Sequence, residues 1–221
     1  MARARFSAAR RRCHCTTSRR RNANANSARM TSQILGFTAK STAGGVYERH
    51  VDWSCPATFS AMPIYALGDI EPQIHPDAYV HPDAVVIGSV VIGADSSVWP
   101  TAVLRGDDGF IYVGERSSIQ DGTIVHTTMF CPTRIGNECT IGHNVHLEGC
   151  TIEDDCLIGS GSVVLHEARI RTGALVGAQA LIPSGMDVPS GAMALGVPAK
   201  IRENSVHKGL LEHAAEIYVR N

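Results

Sequence analysis

Between Ile74 and Val188 an aliphatic residue returns every six positions, and few folds accept that period. The first run is Ile74, Val80, Val86, Ile92, Val98 and Leu104. It resumes at Val113, Ile119 and Val125, then at Ile135, Ile141 and Leu147, and last from Ile152 through Ile158, Val164, Ile170, Val176 and Ile182 to Val188. Four residues beyond the aliphatic the side chain is usually small, as at Ala84, Ala102, Cys139, Cys156 and Ala174. A helix repeats at 3.6 residues and a half-buried strand at two, so neither sustains a six. A parallel coil does, because each hexad supplies one short strand and a corner, and three hexads close a triangular turn.

The predicted fold is therefore all-β, a left-handed parallel β-helix of hexapeptide repeats over residues 62–204. Aliphatics point into the prism and small residues fill its corners. Gly follows the aliphatic at Gly93, Gly114, Gly136, Gly142, Gly159 and Gly177, where a side chain is unwelcome. Cys139 and Cys156 fall at small inward positions, which predicts packed thiols and a reducing compartment.

Two regions lie outside the repeat. Residues 205–221 read as a C-terminal α-helix packing on the prism, with Val206, Leu210, Ala214 and Ile217 on one side. The first 61 residues hold eleven Lys and Arg against two acids, a balance of +9. The other 160 hold nine against nineteen, a balance of −10. The near-neutral total hides a basic segment on an acidic domain. That segment reads as a disordered leader or an over-called start, with translation beginning at Met62, and the protein as cytoplasmic. Read instead as a transit peptide, its Arg-rich, acid-poor composition points to mitochondria. Cys13-His14-Cys15 lacks the second pair a zinc site needs. No apolar run is long enough to span a membrane, and the acidic domain gives nucleic acid no footing.

Register arithmetic locates a candidate site. A regular coil takes 18 residues, yet Leu104 to Val125 is 21 and Val125 to Leu147 is 22. If the stretch near Phe110 and the loop Thr127–Arg134 bulge outward, these three aliphatics stack on successive coils. Arg105, His126 and Glu148 then form a column on one corner, and His143 stands over Asp121. His75, His81, His166, His207 and His213 read as solvated surface. On spacing alone His126 and His143 read equally as surface or as functional.

Further strings shift that balance. Arg105-Gly106-Asp107-Asp108-Gly109, Gln120-Asp121-Gly122, Val125-His126, Ile141-Gly142-His143 and Gly196-Val197-Pro198-Ala199-Lys200 resemble the gamma-class carbonic anhydrase family, over about Met62 to Asn221. The resemblance implies a homotrimer with a metal at each subunit interface, zinc or else ferrous iron or cobalt, and reversible hydration of carbon dioxide to bicarbonate. His126 matches a ligand on one subunit and His143 the ligand given across the interface. Arg105, Asp107, Gln120 and Asp121 match polar residues that brace the interface and orient the nucleophile. The family's glutamate-bearing loop for carrying protons out has no clear counterpart in His126-Thr127-Thr128-Met129, and Asp108 would accept the proton instead. Arg105 would pair with Asp107 or Asp121 to join subunits. The family's third histidine lies five residues after the second, where this chain has Glu148. His146 is nearby but two residues short of that position. Two histidines and a glutamate form a known zinc set, with a weaker hold on the acidity of water than three histidines. An acyltransferase of the same fold, using acyl-coenzyme A, and a non-catalytic trimeric scaffold are the other readings.

Overall fold

The computed structural model describes residues 63–206, and these wind into a parallel β-solenoid of about seven turns. Three ladders run its length. The first stacks Val86, Leu104, Val125, Leu147, Val164 and Ile182. The second carries Ile74, Ile92, Val113, Ile135, Ile152, Ile170 and Val188. The third carries Val80, Val98, Ile119, Ile141, Ile158, Val176 and Ala194. Strands Val85–Ile92 and Val103–Val113 run round one corner, so the first two ladders share a single sheet.

The six-residue reading is borne out residue by residue. Every stacked aliphatic from Val80 to Val188 is buried, and Ile74 is half-buried at the open end. Each fully buried aliphatic contributes roughly 1.5–3 kcal/mol. Cys139 and Cys156 are buried free thiols, neighbours on adjacent coils. Their mutual hydrogen bond, together with burial, holds the Cys139 thiol well above its ordinary range.

The corners divide their work between two positions. Three residues after the aliphatic the chain turns through positive φ, at Asp95, Arg116, Glu138, Asn144 and Asp155 as well as at Gly122 and Gly161. The glycines one residue after the aliphatic keep ordinary φ and serve close approach instead. A Cβ on Gly93 would meet the carbonyl oxygen of Gly114 at 2.6 Å and its carbon at 2.7 Å. Because backbone cannot step aside, Gly93→Ala is expected to cost about 1–3 kcal/mol, read as a lowered urea midpoint. A midpoint equal to wild type would refute the crowding argument.

Inward hydroxyls add a second tie between coils. Ser96 Oγ donates to Gly114 O at 2.7 Å and accepts from Ser117 N at 2.9 Å. Ser117 and Thr123 repeat the pattern one coil on.

Three irregularities depart from the 18-residue coil, and all touch one corner. Gly88 pairs with Gly106 but Val90 with Ile111, so three extra residues bulge between Asp107 and Phe110. The Arg134 guanidinium lies 4.5 Å from the Phe110 ring centroid and pins this bulge. A second extrusion follows His126, where Thr128 and Cys131 pair across a tight turn with Met129 and Phe130 exposed at its tip. Then Ile135 pairs with Ile152, a coil of only 17 residues. The missing residue falls just after Glu148, and Cys150 fills the inward place. Burial pushes its thiol up to about 12.

Strand Lys200–Arg202 returns antiparallel to Met193–Leu195, so the Gly196–Lys200 string closes that end as a hairpin. The helix expected from Ser205 does not begin within the described residues: Ser205 and Val206 are non-helical, and the rest of it lies outside them. Residues 1–62 also lie outside, and with them the expected leader. Among the described residues no helix is long and apolar enough to cross a membrane.

Candidate metal-binding site

The expected column forms. Arg105, His126 and Glu148 are Cα partners on three consecutive coils, directly after the buried Leu104, Val125 and Leu147. The neighbouring aliphatics are fixed in the core, so these three side chains must leave the prism at the same edge. Glu148 Oε1 lies 3.0 Å from His126 Nδ1. The other imidazole nitrogen, Nε2, faces Asp107 Oδ1 at 3.3 Å. Arg105 pairs with Asp107 through Nη1 and Oδ2. The alternative pairing of Arg105 with Asp121 does not form within the chain, because Asp121 is on another coil edge and bonds His143 Nδ1 at 3.0 Å.

Two histidines given no role by the sequence reading join this cluster. His146 Nε2 approaches Glu148 Oε2 at 3.2 Å, since residues two apart on a strand share its outer side. His166 stands on the next coil, Nε2 at 3.7 Å from Glu148 Oε1. The reading of His166 as plain solvated surface is therefore corrected. Its approach follows from the shortened coil: Gly149 turns with φ of 61°, and a Cβ there would meet His166 Cδ2 at 2.8 Å. One dropped residue among hexads was the available signal, and it sits beside Glu148.

Charge settles accordingly. Partial burial raises the Glu148 pKa, but hydrogen bonds from His146 and His126 and the nearness of His166 outweigh it and hold the group below the ordinary glutamate value. For Asp107 burial likewise raises, while its own backbone N–H, Arg105 and His126 lower it further, and the net is downward. Both are carboxylates at neutral pH. An ionised Glu148 only accepts, so in this pairing His126 Nδ1 carries the hydrogen.

The remaining expected residues are not brought to the cluster. His143 stands over Asp121 as the register required, but at the corner before strand His146–Glu148, whereas Glu148 ends that strand. The four residues between them, with the corner at Asn144, put the two side chains on the order of 10–15 Å apart. Gln120 is 3 % exposed, its Nε2 donating to Ser118 Oγ at 2.6 Å in a network with Ser97 and Trp99. Asp108 is exposed in the bulge. Among the described residues of one chain, no three His, Cys, Asp or Glu side chains are arranged to enclose an ion.

Sequence reasoning also passed over Thr133. Its side chain is fully buried, and Oγ1 donates to the carbonyl oxygen of His126 while accepting from Gly149 N at 2.8 Å.

Comparisons with known proteins agree with this architecture. The model of the bacterial transferase hexapeptide (six repeats) matches residues 71–106 and 132–166. Gamma carbonic anhydrase 2, mitochondrial, of Arabidopsis thaliana is 41% identical over 138 residues, 60% of this chain, and the match spans half the length of that plant protein. Carnitine operon protein CaiE of Escherichia coli K12 is 38% identical over 143 residues, covering 65% of this chain and 73% of CaiE. Among solved structures, a hexapeptide transferase family protein of Anaplasma phagocytophilum superposes with a TM-score of 0.69 at 35% identity, over 72% of this chain and 95% of that one. A putative acetyltransferase of Bacillus cereus gives 0.70 at 33%, over 71% and 92%.

Proposed function

The chain belongs to the hexapeptide-repeat family that includes gamma carbonic anhydrase and CaiE, and on that footing we propose that it binds a divalent metal through His126, Glu148 and the His143 of a neighbouring copy and hydrates carbon dioxide. The observation that carries this is the pairing of His126 with Glu148. Their donor atoms lie 3.0 Å apart with one hydrogen between them. Two donors held tetrahedrally at about 2.0–2.1 Å from zinc are separated by roughly 3.3 Å, so an ion can take that hydrogen's place with little rearrangement. The donor set is of the two-histidine, one-carboxylate type, which suits zinc, cobalt or ferrous iron. His143 is too far along the face to complete the set in its own chain. The site thus calls for an assembly, and a homotrimer fits the family.

A bound ion of this kind supplies a water acidified for attack on a small electrophile. The chain's own residues do the rest. Asp107, neutralised by Arg105, faces Nε2 of His126 and fixes the ring plane. His146 holds the second oxygen of Glu148 and so limits rotation of the carboxylate. Gln120, its amide fixed by Ser118 and its backbone N–H bonded to Ile141 O two residues before His143, would orient the nucleophile from the neighbouring copy that gives His143. Asp108, exposed and free to exchange with solvent, accepts the proton. Asp121 steers the His143 ring through Nδ1, leaving Nε2 for the ion.

Native mass spectrometry of the full chain, purified without chelator under reducing conditions, tests the assignment. The expected species is a trimer with three metal ions. The His143→Ala variant is expected to stay folded as a prism and to lose the metal. A His143→Ala protein at full metal occupancy would sink that ligand.

One observation favours a second reading. A carboxylate bonded to Nδ1 is also how a general-base imidazole is oriented in acyl transfer, and His126 has that partner in Glu148. A metal-free trimer with a saturable response to acetyl-coenzyme A would favour it, and a metal-free trimer with no such response would favour the scaffold.

A further inference from the structure

The two main-chain segments that carry His126 and Glu148 do not lie in regular coils. The chain leaves the ladder directly after His126 through the turn Thr128–Cys131, and the coil ending at Ile152 is one residue short directly after Glu148. Elsewhere an inward hydroxyl four residues after the aliphatic ties adjacent coils, as Ser96 does. Beyond His126 and Glu148 that device cannot repeat, because a loop occupies the space after one and a residue is missing after the other. Thr133 supplies the tie from the far side of the loop. It opens strand Thr133–Ile135, is fully buried, and grips the His126 carbonyl with its hydroxyl hydrogen and the Gly149 N–H with its oxygen. Both grips fall at or beside the residues whose side chains meet outside.

We infer that Thr133 is a positioning residue: its hydroxyl locks the backbone of His126 to that of Glu148 and so sets the spacing of their side-chain donors. This rests on the proposed metal site for its function, though not for its geometry. The lock matters because the side chains lean on opposite supports. His126 is drawn towards Asp107 on the coil before, and Glu148 towards His166 on the coil after. The ladder pairs His126 with Glu148 but ends there, and Thr133 carries the tie one peptide further, past the point where the chain leaves it. Thr133 bonds the main chain of both segments, whereas Thr127 Oγ1 is spent on Cys131 O at 3.0 Å within the loop. Val in place of Thr keeps the β-branched shape and removes both hydrogen bonds. Ser keeps the hydroxyl and loses only a methyl group.

The experiment compares wild type, Thr133→Val, Thr133→Ser and a matched control, Ser96→Ala, which removes the same two kinds of bond far from the cluster. Two quantities are read on the full chain: zinc affinity by chelator competition, and the Nδ1–H signature of His126 by nitrogen-15 NMR of the metal-free protein. Thr133→Val is expected to weaken zinc roughly ten- to a hundredfold, as loss of an outer partner does, and to lose or shift the His126 signal. Thr133→Ser should restore both, and Ser96→Ala should leave both at the wild-type value even where its melting temperature falls. A wild-type Nδ1–H signal and zinc affinity in Thr133→Val overturn the inference, as does an equal loss in Ser96→Ala. If the wild type holds no zinc, the proposed function fails, and the His126 signal alone still decides whether Thr133 sets the pair. Should Thr133→Val fail to fold, Thr133→Ala read against Thr133→Ser gives the same decision.

Discussion

Leu147→Ala is expected to remove about 2–5 kcal/mol of folding stability. Leu147 is fully buried, stacked between Val125 and Val164 at the middle of the first ladder. A solenoid coil touches only its neighbours, so the surrounding chain cannot collapse into the gap without breaking register on two other faces. The strand also carries His146 and Glu148, and their outward geometry depends on Leu147 anchoring the inward side. Ile74→Ala gives the contrast. Ile74 sits on the first, open coil and is half-buried there, so its truncation leaves less of a cavity. Urea unfolding of both variants checks the argument. The Leu147→Ala midpoint should fall well below that of Ile74→Ala, and equal midpoints would mean that stacking depth does not set the cost.

That contrast separates what the sequence could show from what it could not. The prism was legible because every coil repeats one physical demand, an aliphatic inward and a small residue at the corner, and the demand is written nineteen times between Ile74 and Val188. The stacking of Arg105, His126 and Glu148 was legible for the same reason, since insertions in a solenoid leave the ladder as loops. Contacts made across a break in the period were not legible. His166 reaches Glu148 only because a residue is missing after Glu148, and counting hexads on either side gives no angle at the join. Thr133 looked like the end of a loop, yet it is buried because the loop folds back over the corner it left. Gln120 was given a part at the metal, yet it is nearly buried. Its amide donates to Ser118 Oγ, which also accepts from the Trp99 indole, a partnership that a six-residue period cannot encode.

Glu148→His is expected to raise carbon dioxide hydration at neutral pH by about tenfold or more at equal metal occupancy. The reason is charge. A dication with two neutral imidazoles and one carboxylate carries a net +1, and with three imidazoles +2. The extra charge favours hydroxide over water, and the catalytic value of zinc lies in moving that equilibrium from 15.7 towards roughly 7. In the native chain the carboxylate is held anionic by His146, His126 and His166 and so opposes that shift at neutral pH. The substitution also removes the acceptor that organises those three rings, so the variant should melt at a lower temperature while hydrating faster. Stopped-flow hydration beside metal analysis separates the effects. If wild type is empty and Glu148→His fills with zinc, the glutamate is what kept the ion out. A Glu148→His trimer with three zinc ions and no faster hydration than wild type would mean that ligand charge does not limit the reaction, and that the fault lies in the route by which the proton leaves through Asp108.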